Sequence, residues 1–595
     1  MTSTIRRRQV TENKSRLRLK TRINNWRRYV PILDVIKHYR REDFPHDLIA
    51  GIVVGVITVP QAVAYAFLAG LPAQAGLYAC LAPMVIYAIL GSSKQLVVGP
   101  VAIAALMVAA TVSEFAPQYS NEYLGITTVL CLQAGLVLLL LRVSNMGGLV
   151  NLLSHPVIVG FVNAAAILII VSQLSAFTGI ARGAASDPFN RLADLLQAAG
   201  TANPATLAIG VVCLAGLWVV RILAVPTARL FFKDIADGHP LARTGPMIVA
   251  TAAAFAVWAG GWEASYGIAT VGPVPSGLPQ LTLPPFNVDL WIDLLPSSAM
   301  IALVAYVESF TIGTTIATKQ RTRINSNQEL IALGAANIGA AFTGAYPVAG
   351  SFSRSSVNYQ SGGRTPVSSL VCVVIIILTL LFFTPLIRHL PHAALAAIIM
   401  VSVVGLMDVK SFRDHWKVYR QDTITQIVTL VTVLLFGVET GLLTGVGLSI
   451  AFFVRRSSKP NIAIVGRISN TEHFRTAKRH DVETFSHVAA IRVDENLYFA
   501  NSNQVENKLL KIVQRRPNTK HLLLVCSSVN MIDVTGLEML SRINANFESL
   551  GIKLHLSEVK GEVMEQLQAT DFIVNLSGSI FFTTDQAMKA LSERV

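Results

Sequence analysis

Apolar segments of helical length recur along this chain from about Leu48 to Val454 and then stop. Their spacing predicts spans near 48–69, 73–90, 98–112, 124–141, 156–174, 205–222, 246–260, 297–317, 328–344, 351–360, 366–384, 392–406, 424–437 and 440–454. The third and tenth of these fourteen are short and begin with polar or helix-breaking residues. From about His487 the pattern becomes that of a soluble α/β domain. Val488–Asp494, His521–Val525 and Lys553–Ser557 read as strands, and Ser502–Val513 and Gly536–Leu550 as helices. The expected organisation is a basic N-terminal region over 1–46, a transmembrane domain over 47–455, a linker over 456–486 and an α/β domain over 487–595.

Basic residues test the span count independently, because cytoplasmic connections carry the excess of Lys and Arg. With the N-terminus inside, the even-numbered connections hold Lys94, Arg142, Arg229 with Lys233 and Arg243, Lys319 with Arg321 and Arg323, Arg364, and Lys410 to Arg420. The opposite connections hold few basic residues (Arg182, Arg191, Arg388) and several acids, among them Glu114, Glu122, Glu263 and Asp289. Both termini are therefore expected on the cytoplasmic side of the cell membrane (an inner membrane, multi-pass).

Fourteen spans divide into two sevens, and an odd number per half relates the halves by inversion. The third span of each half opens on a breaker: Gly99-Pro100-Val101-Ala102 in one, Gly350-Ser351-Phe352-Ser353 in the other. Two broken helices at matching positions bring two positive N-terminal ends toward the midplane. Immediately after the second break comes Arg354. A cation at that depth is kept only where protein or a wet cavity surrounds it. Helix N-termini with an arginine make a site for an anion. Three placements of the guanidinium are open: touching the anion, setting the potential from behind Ser353, or snorkelled along the short half-helix to the cytoplasmic surface.

Glu308, within Ala305-Tyr306-Val307-Glu308-Ser309, is the second unexpected charge. A carboxylate in mid-span is costly when ionised, which makes it a natural proton carrier. Moving one unit charge against 100 mV costs about 2.3 kcal/mol, so importing a divalent anion into a negative interior costs about 4.6 kcal/mol. Co-transported cations offset that cost. The competing role for Glu308 is structural partner of Arg354.

Composition fits this reading. Of 595 residues, 52% are hydrophobic and 14% charged, and mean hydropathy is +0.53, far from the roughly 25% charge of soluble domains. Much of the net charge of +14 sits in the N-terminal block from Arg6 to Arg28, placed to meet anionic lipid head groups rather than nucleic acid. The cysteines (Cys80, Cys131, Cys213, Cys372, Cys526) share no CxxC spacing and suggest neither a disulfide nor a metal framework. No nucleophile–base pair or phosphate loop stands out, so an enzyme is the least expected class, with no cofactor called for.

Three long stretches, in order, resemble the SulP family of anion transporters, which includes sulfate permeases, prestin and pendrin. They run from Val59-Pro60-Gln61-Ala62-Val63-Ala64-Tyr65 through Gly76-Leu77-Tyr78, from Gly91 to Ala102, and from Gly344 to Asn358. The resemblance implies a core domain (spans 1–4 and 8–11) moving against a gate domain (5–7 and 12–14), in a homodimer. It places the substrate between the third and tenth helix N-termini, with contacts at Gln61, Tyr65, Val101, Ala102, Phe352, Ser353 and Arg354. Tyr65 either shapes that pocket or is an ordinary core aromatic. The resemblance also associates Glu308 with proton coupling in sulfate and dicarboxylate importers. Sodium–bicarbonate members carry an Asp there and a hydroxyl one turn later, where this chain has Ile312, although Thr311 and Thr315 are near.

The tail resembles a STAS domain through Leu523 to Leu537. Asp533 and Thr535 are expected to cap a helix from Gly536. The antagonists of anti-sigma factors carry a phosphorylatable Ser directly after that Asp, whereas this chain has Val534. The leading expectation is thus a secondary active importer of sulfate or a related small anion, coupled to protons. The alternatives are a sodium- or proton-coupled bicarbonate or dicarboxylate transporter, an anion channel or exchanger on the same scaffold, and a nucleobase transporter. The last is disfavoured by Ser353-Arg354, where a base-reading carboxylate is expected.

Overall fold

The computed structural model describes residues 29–148, 154–180, 188–231 and 245–592. The basic block from Arg6 to Arg28 lies outside these, as do Arg182, Lys233 and Arg243. The chain divides into two compact units, with the division near Val446.

In the first unit every expected span coincides with helix. The first is Asp43–Leu68, the second Ala73–Tyr78 followed by Ala82–Leu90, the fourth Asn121–Val143 and the fifth His155–Thr178. Pro204–Phe231 and Gly245–Gly260 are the sixth and seventh; Val288–Lys319 and Ser326–Phe342 are the eighth and ninth. The eleventh, Val367–Leu378, continues through a π-helical turn at Thr379–Phe383. His392–Val404, Arg420–Phe436 and Val438–Ser457 complete the set, and an amphipathic helix, Lys410–Val418, lies between the twelfth and thirteenth spans. The eighth span starts nine residues before its expected 297, because Asn287 caps it by accepting from the Asp289 and Leu290 amides.

The two breaks give the fold its centre. Gly99-Pro100 and Gly350-Ser351 cannot continue a helix, so each segment runs extended before its helix starts. Val98–Gly99 (β1) pairs antiparallel with Ala349–Gly350 (β2), in the register Val98 with Gly350 and Gly99 with Ala349. The third helix, Ala102–Val112, and the tenth, Phe352–Gln360, leave this ribbon in opposite directions with their N-termini close together. Eleven and nine residues make about 16 and 14 Å of helix, roughly half the hydrocarbon thickness each. Polar side chains absorb the ribbon's remaining donors: Gly350 N donates to Ser309 Oγ at 2.7 Å, Val97 N to Ser355 Oγ at 2.9 Å and Val348 N to Asn337 Oδ1 at 2.9 Å.

Helix packing separates two groups. The first span packs on the eleventh, the fourth on the eighth and ninth, and the second on the ninth; the fifth packs on the twelfth and thirteenth, and the sixth on the twelfth and seventh. The twelfth and seventh also meet the first, which makes the main seam between the groups.

The second unit is a six-stranded sheet in the order β4-β3-β5-β6-β7-β8. The strands are Ile462–Arg467 (β3), Phe474–Thr476 (β4), Val488–Val493 (β5), His521–Val525 (β6), Lys553–Ser557 (β7) and Ile580–Phe581 (β8). β5 to β8 are parallel, and β3 runs antiparallel to β5 and β4. The stretch 456–486, expected as a linker, thus supplies two strands. Helix Val534–Ser549 begins two residues before Gly536. Asp533 caps it, accepting from Gly536 N at 2.7 Å and, through its other oxygen, from Phe499 N at 2.8 Å; Thr535 lies inside the first turn and does not cap. Asp533→Ala leaves both donors without this acceptor. It is expected to cost about 1–2 kcal/mol, read as faster amide exchange over 534–540 in the full-length protein.

Candidate functional site

The site is built from the two half-helix ends. No side chain caps Val101, so the first-turn amides of the third helix have neither an intrahelical nor a side-chain acceptor there. Ser351 caps the tenth helix through a long bond, with Arg354 N donating to its Oγ at 3.4 Å. Val101 and Ala102 are buried, and Val101 packs with Ala104, Ala305 and Ala349. Ser353 is partly exposed and its hydroxyl makes no hydrogen bond among the described residues, while Phe352 is 49% exposed. Gln61 and Tyr65 stand one turn apart on the first span and are both buried. Gln61 Oε1 has no hydrogen-bond partner among the described residues, and Tyr65 lies near both Arg354 and Glu308.

Arg354 does not take the surface placement left open by the sequence. It is 1% exposed, so it does not snorkel to the surface. Its Nη2 donates to the Pro100 carbonyl at 2.5 Å, its Nη1 lies 3.9 Å from Cys80 Sγ, and its Nε has no partner among the described residues. The guanidinium therefore crosses the ribbon and holds the break of the third helix from behind. It forms no ion pair with Glu308 or any other carboxylate among the described residues. A buried cation without a counter-charge is costly and projects an uncompensated positive field. A Cβ on Gly99 would sit 2.8 Å from Arg354 Nη1. Gly99→Ala is therefore expected to displace the guanidinium and weaken sulfate binding about tenfold, which is about 1.4 kcal/mol and close to the low end for a charge-assisted hydrogen bond. A binding isotherm on the purified protein reads it directly.

Three carboxylates on the spans can be compared. Asp47 accepts from Arg364 N at 2.7 Å, Thr365 N at 3.0 Å and Thr365 Oγ1 at 2.5 Å, tying the first span to the eleventh. Glu329 accepts from Tyr87 Oη at 2.7 Å, Ser92 N at 2.9 Å and Ser92 Oγ at 2.7 Å, tying the ninth to the second. Both are saturated with donors and serve as clasps. Glu308 differs: its Oε2 is buried and has no partner among the described residues. It lines a cavity of about 390 Å³ with Ile103, Thr311 and Phe352 on one side and Ile158, Val159 and Asn163 of the fifth span on the other. Sequence reading missed Asp47 and Glu329, although an acid within an apolar span is the signal that finds them. Among the described residues no group of three or more His, Cys, Asp or Glu side chains is placed to hold a metal ion.

Residues 44–429 match the model of the sulfate permease family, and residues 479–587 that of the STAS domain. Curated relatives include the probable sulfate transporter 4.2 of Arabidopsis thaliana, 35% identical over 559 residues, which span 92% of this chain and 81% of that protein. A probable sulfate transporter of Mycobacterium tuberculosis is 31% identical over 574 residues, 95% of this chain and 98% of that protein. Among solved structures, the murine Solute Carrier 26 family member A9 anion transporter in the inward-facing state superposes with a TM-score of 0.87 at 24% identity, over 95% of this chain and 94% of that one. The transmembrane domain of the cyanobacterial bicarbonate transporter BicA superposes at 0.57 with 22% identity, over 69% of this chain and 98% of that one. The structural likenesses, at these identities, speak for the fold.

Proposed function

The chain belongs to the sulfate permease family of membrane anion transporters, and from that premise we propose that it imports sulfate or a related small inorganic anion together with protons. The observation that carries this reading is the pairing of two uncapped or weakly capped helix ends with a buried, uncompensated Arg354 behind them. An anion entering between Val101-Ala102 and Phe352-Ser353 supplies the missing negative charge. Gln61 and Ser353 donate hydrogen bonds to it, and Tyr65 bounds the pocket. Arg354 sets the potential from behind the ribbon and does not touch the anion.

Coupling follows from Glu308. Glu308 lines the cavity between the two helix groups, and no donor among the described residues holds its buried oxygen, so its carboxyl is placed to take up a proton and release it. Ionised, Glu308 opposes the field of Arg354 and repels the anion; protonated, it admits it. One proton carried with a divalent anion halves the about 4.6 kcal/mol cost of entry at 100 mV, and two cancel it. The seam between the group of spans 1–4 and 8–11 and the group of 5–7 and 12–14 is where alternating access takes place. Sodium coupling has less support, since Thr315 is exposed and its hydroxyl donates to the Thr311 carbonyl at 2.8 Å. We place both termini in the cytoplasm and the protein as a homodimer in the cell membrane, with the STAS domain supporting assembly.

Competition against radiolabelled sulfate uptake in proteoliposomes tests the substrate. Unlabelled sulfate, bicarbonate, succinate and aspartate are added in turn, with and without sodium. Sulfate is expected to compete best and sodium to be without effect. Competition by bicarbonate alone, in a sodium-dependent manner, contradicts the reading.

A further inference from the structure

We infer that His155 is the residue that takes the proton from Glu308 on the cytoplasmic side and passes it to solvent. The inference rests on the proton-coupled reading and assigns the exit that it requires. His155 opens the fifth span and lines the same cavity as Glu308, on the opposite wall. Its side chain is also exposed, so the imidazole that lines the carboxylate's cavity is open to solvent. Neither of its ring nitrogens makes a hydrogen bond among the described residues, which leaves a lone pair free to accept. Imidazole is also the side chain suited to gaining and losing a proton near neutral pH.

The neighbours fix the ring without occupying it. His155 packs edge-on against His415, with centroids 5.6 Å apart and planes at 75°. His415 itself is engaged on both nitrogens, Nδ1 with Gln426 Oε1 at 3.1 Å and Nε2 with Ser411 Oγ at 3.1 Å. Asp408, the other acid on the cavity wall, accepts from Ser411 N at 3.0 Å, and Asn163 is committed to the Asp408 backbone. No Lys or Arg lines the cavity among the described residues. In the step itself the O–H bond of the Glu308 acid breaks and an N–H bond forms on His155. Glu308 is left as carboxylate, and the imidazolium then loses its proton to cytoplasmic water.

The test is His155→Gln in full-length protein reconstituted into proteoliposomes, with sulfate uptake driven by an acidic outside. The initial rate is expected to fall about tenfold or more, since positioned proton transfer contributes about 10²–10⁴-fold in general. Two other readings are expected to hold: the final accumulation ratio, which the gradient sets, and sulfate–sulfate exchange, which needs no proton release. Free imidazole in the lumen is expected to restore part of the rate. An unchanged driven rate overturns the assignment. So does an equal loss of driven uptake and exchange without imidazole rescue, which marks a structural role. If wild-type uptake itself ignores the pH gradient, it is the coupled reading that fails.

Discussion

Arg354→Ala is expected to weaken sulfate binding about 100-fold while the protein remains folded. At about 6 Å and an effective dielectric of about 20, a unit charge interacts with each charge on an anion by about 3 kcal/mol. Even half of that, acting on a divalent anion, amounts to about 3 kcal/mol, or about 100-fold in affinity. The second consequence is local. The Pro100 carbonyl loses the donor that holds it at 2.5 Å, so the start of the third helix loses its brace. Arg354→Lys is expected to recover part of the affinity, because it returns the charge without the planar fork. Sulfate-induced thermal stabilisation of the purified protein measures all three. A monovalent anion should lose about the square root of the factor lost by sulfate, since the field acts on half the charge. Equal losses for both would assign Arg354 to shape rather than to potential.

Glu308→Gln is expected to abolish acid-driven accumulation and leave sulfate–sulfate exchange within about twofold of wild type. The amide is nearly isosteric with the protonated acid, so the anion is admitted at every pH and no proton accompanies it. Where one proton travels with each anion, one pH unit supplies about 1.4 kcal/mol, a tenfold accumulation that the variant forfeits. Its exchange rate should also lose whatever pH dependence the ionisation of Glu308 gives the wild type. Retained acid drive in Glu308→Gln would move the proton site elsewhere, and Tyr65 and Gln61 would be the neighbours to examine.

Much of the architecture was legible because its cause is local. A span announces itself by twenty apolar residues, and a broken helix by Gly99-Pro100 or Gly350-Ser351 in the midst of one. Those two breaks were enough to expect facing helix ends, and the β1–β2 register brings them together. The direction of Arg354 was not legible. Its acceptor is the carbonyl of Pro100, 254 residues away, and a backbone group leaves no mark on a sequence. The same holds for the clasps at Asp47 and Glu329, whose donors on Thr365 and Ser92 are ordinary hydroxyls and amides until the fold collects them. β4 was missed for another reason. Phe474–Thr476 is three residues long and polar at its centre, so alternation has no room to show, and its pairing with β3 supplies the signal instead.

Sulfate accumulation in proteoliposomes at clamped zero potential, with the outside one pH unit more acidic than the inside, puts proton-coupled import to its most direct test. The expected result is luminal sulfate about tenfold above the external concentration for one proton per anion, collapsing to equality when a protonophore removes the gradient. Uptake that levels off at equal concentrations, with or without the pH gradient, would contradict coupled import and leave a passive anion pathway on this scaffold.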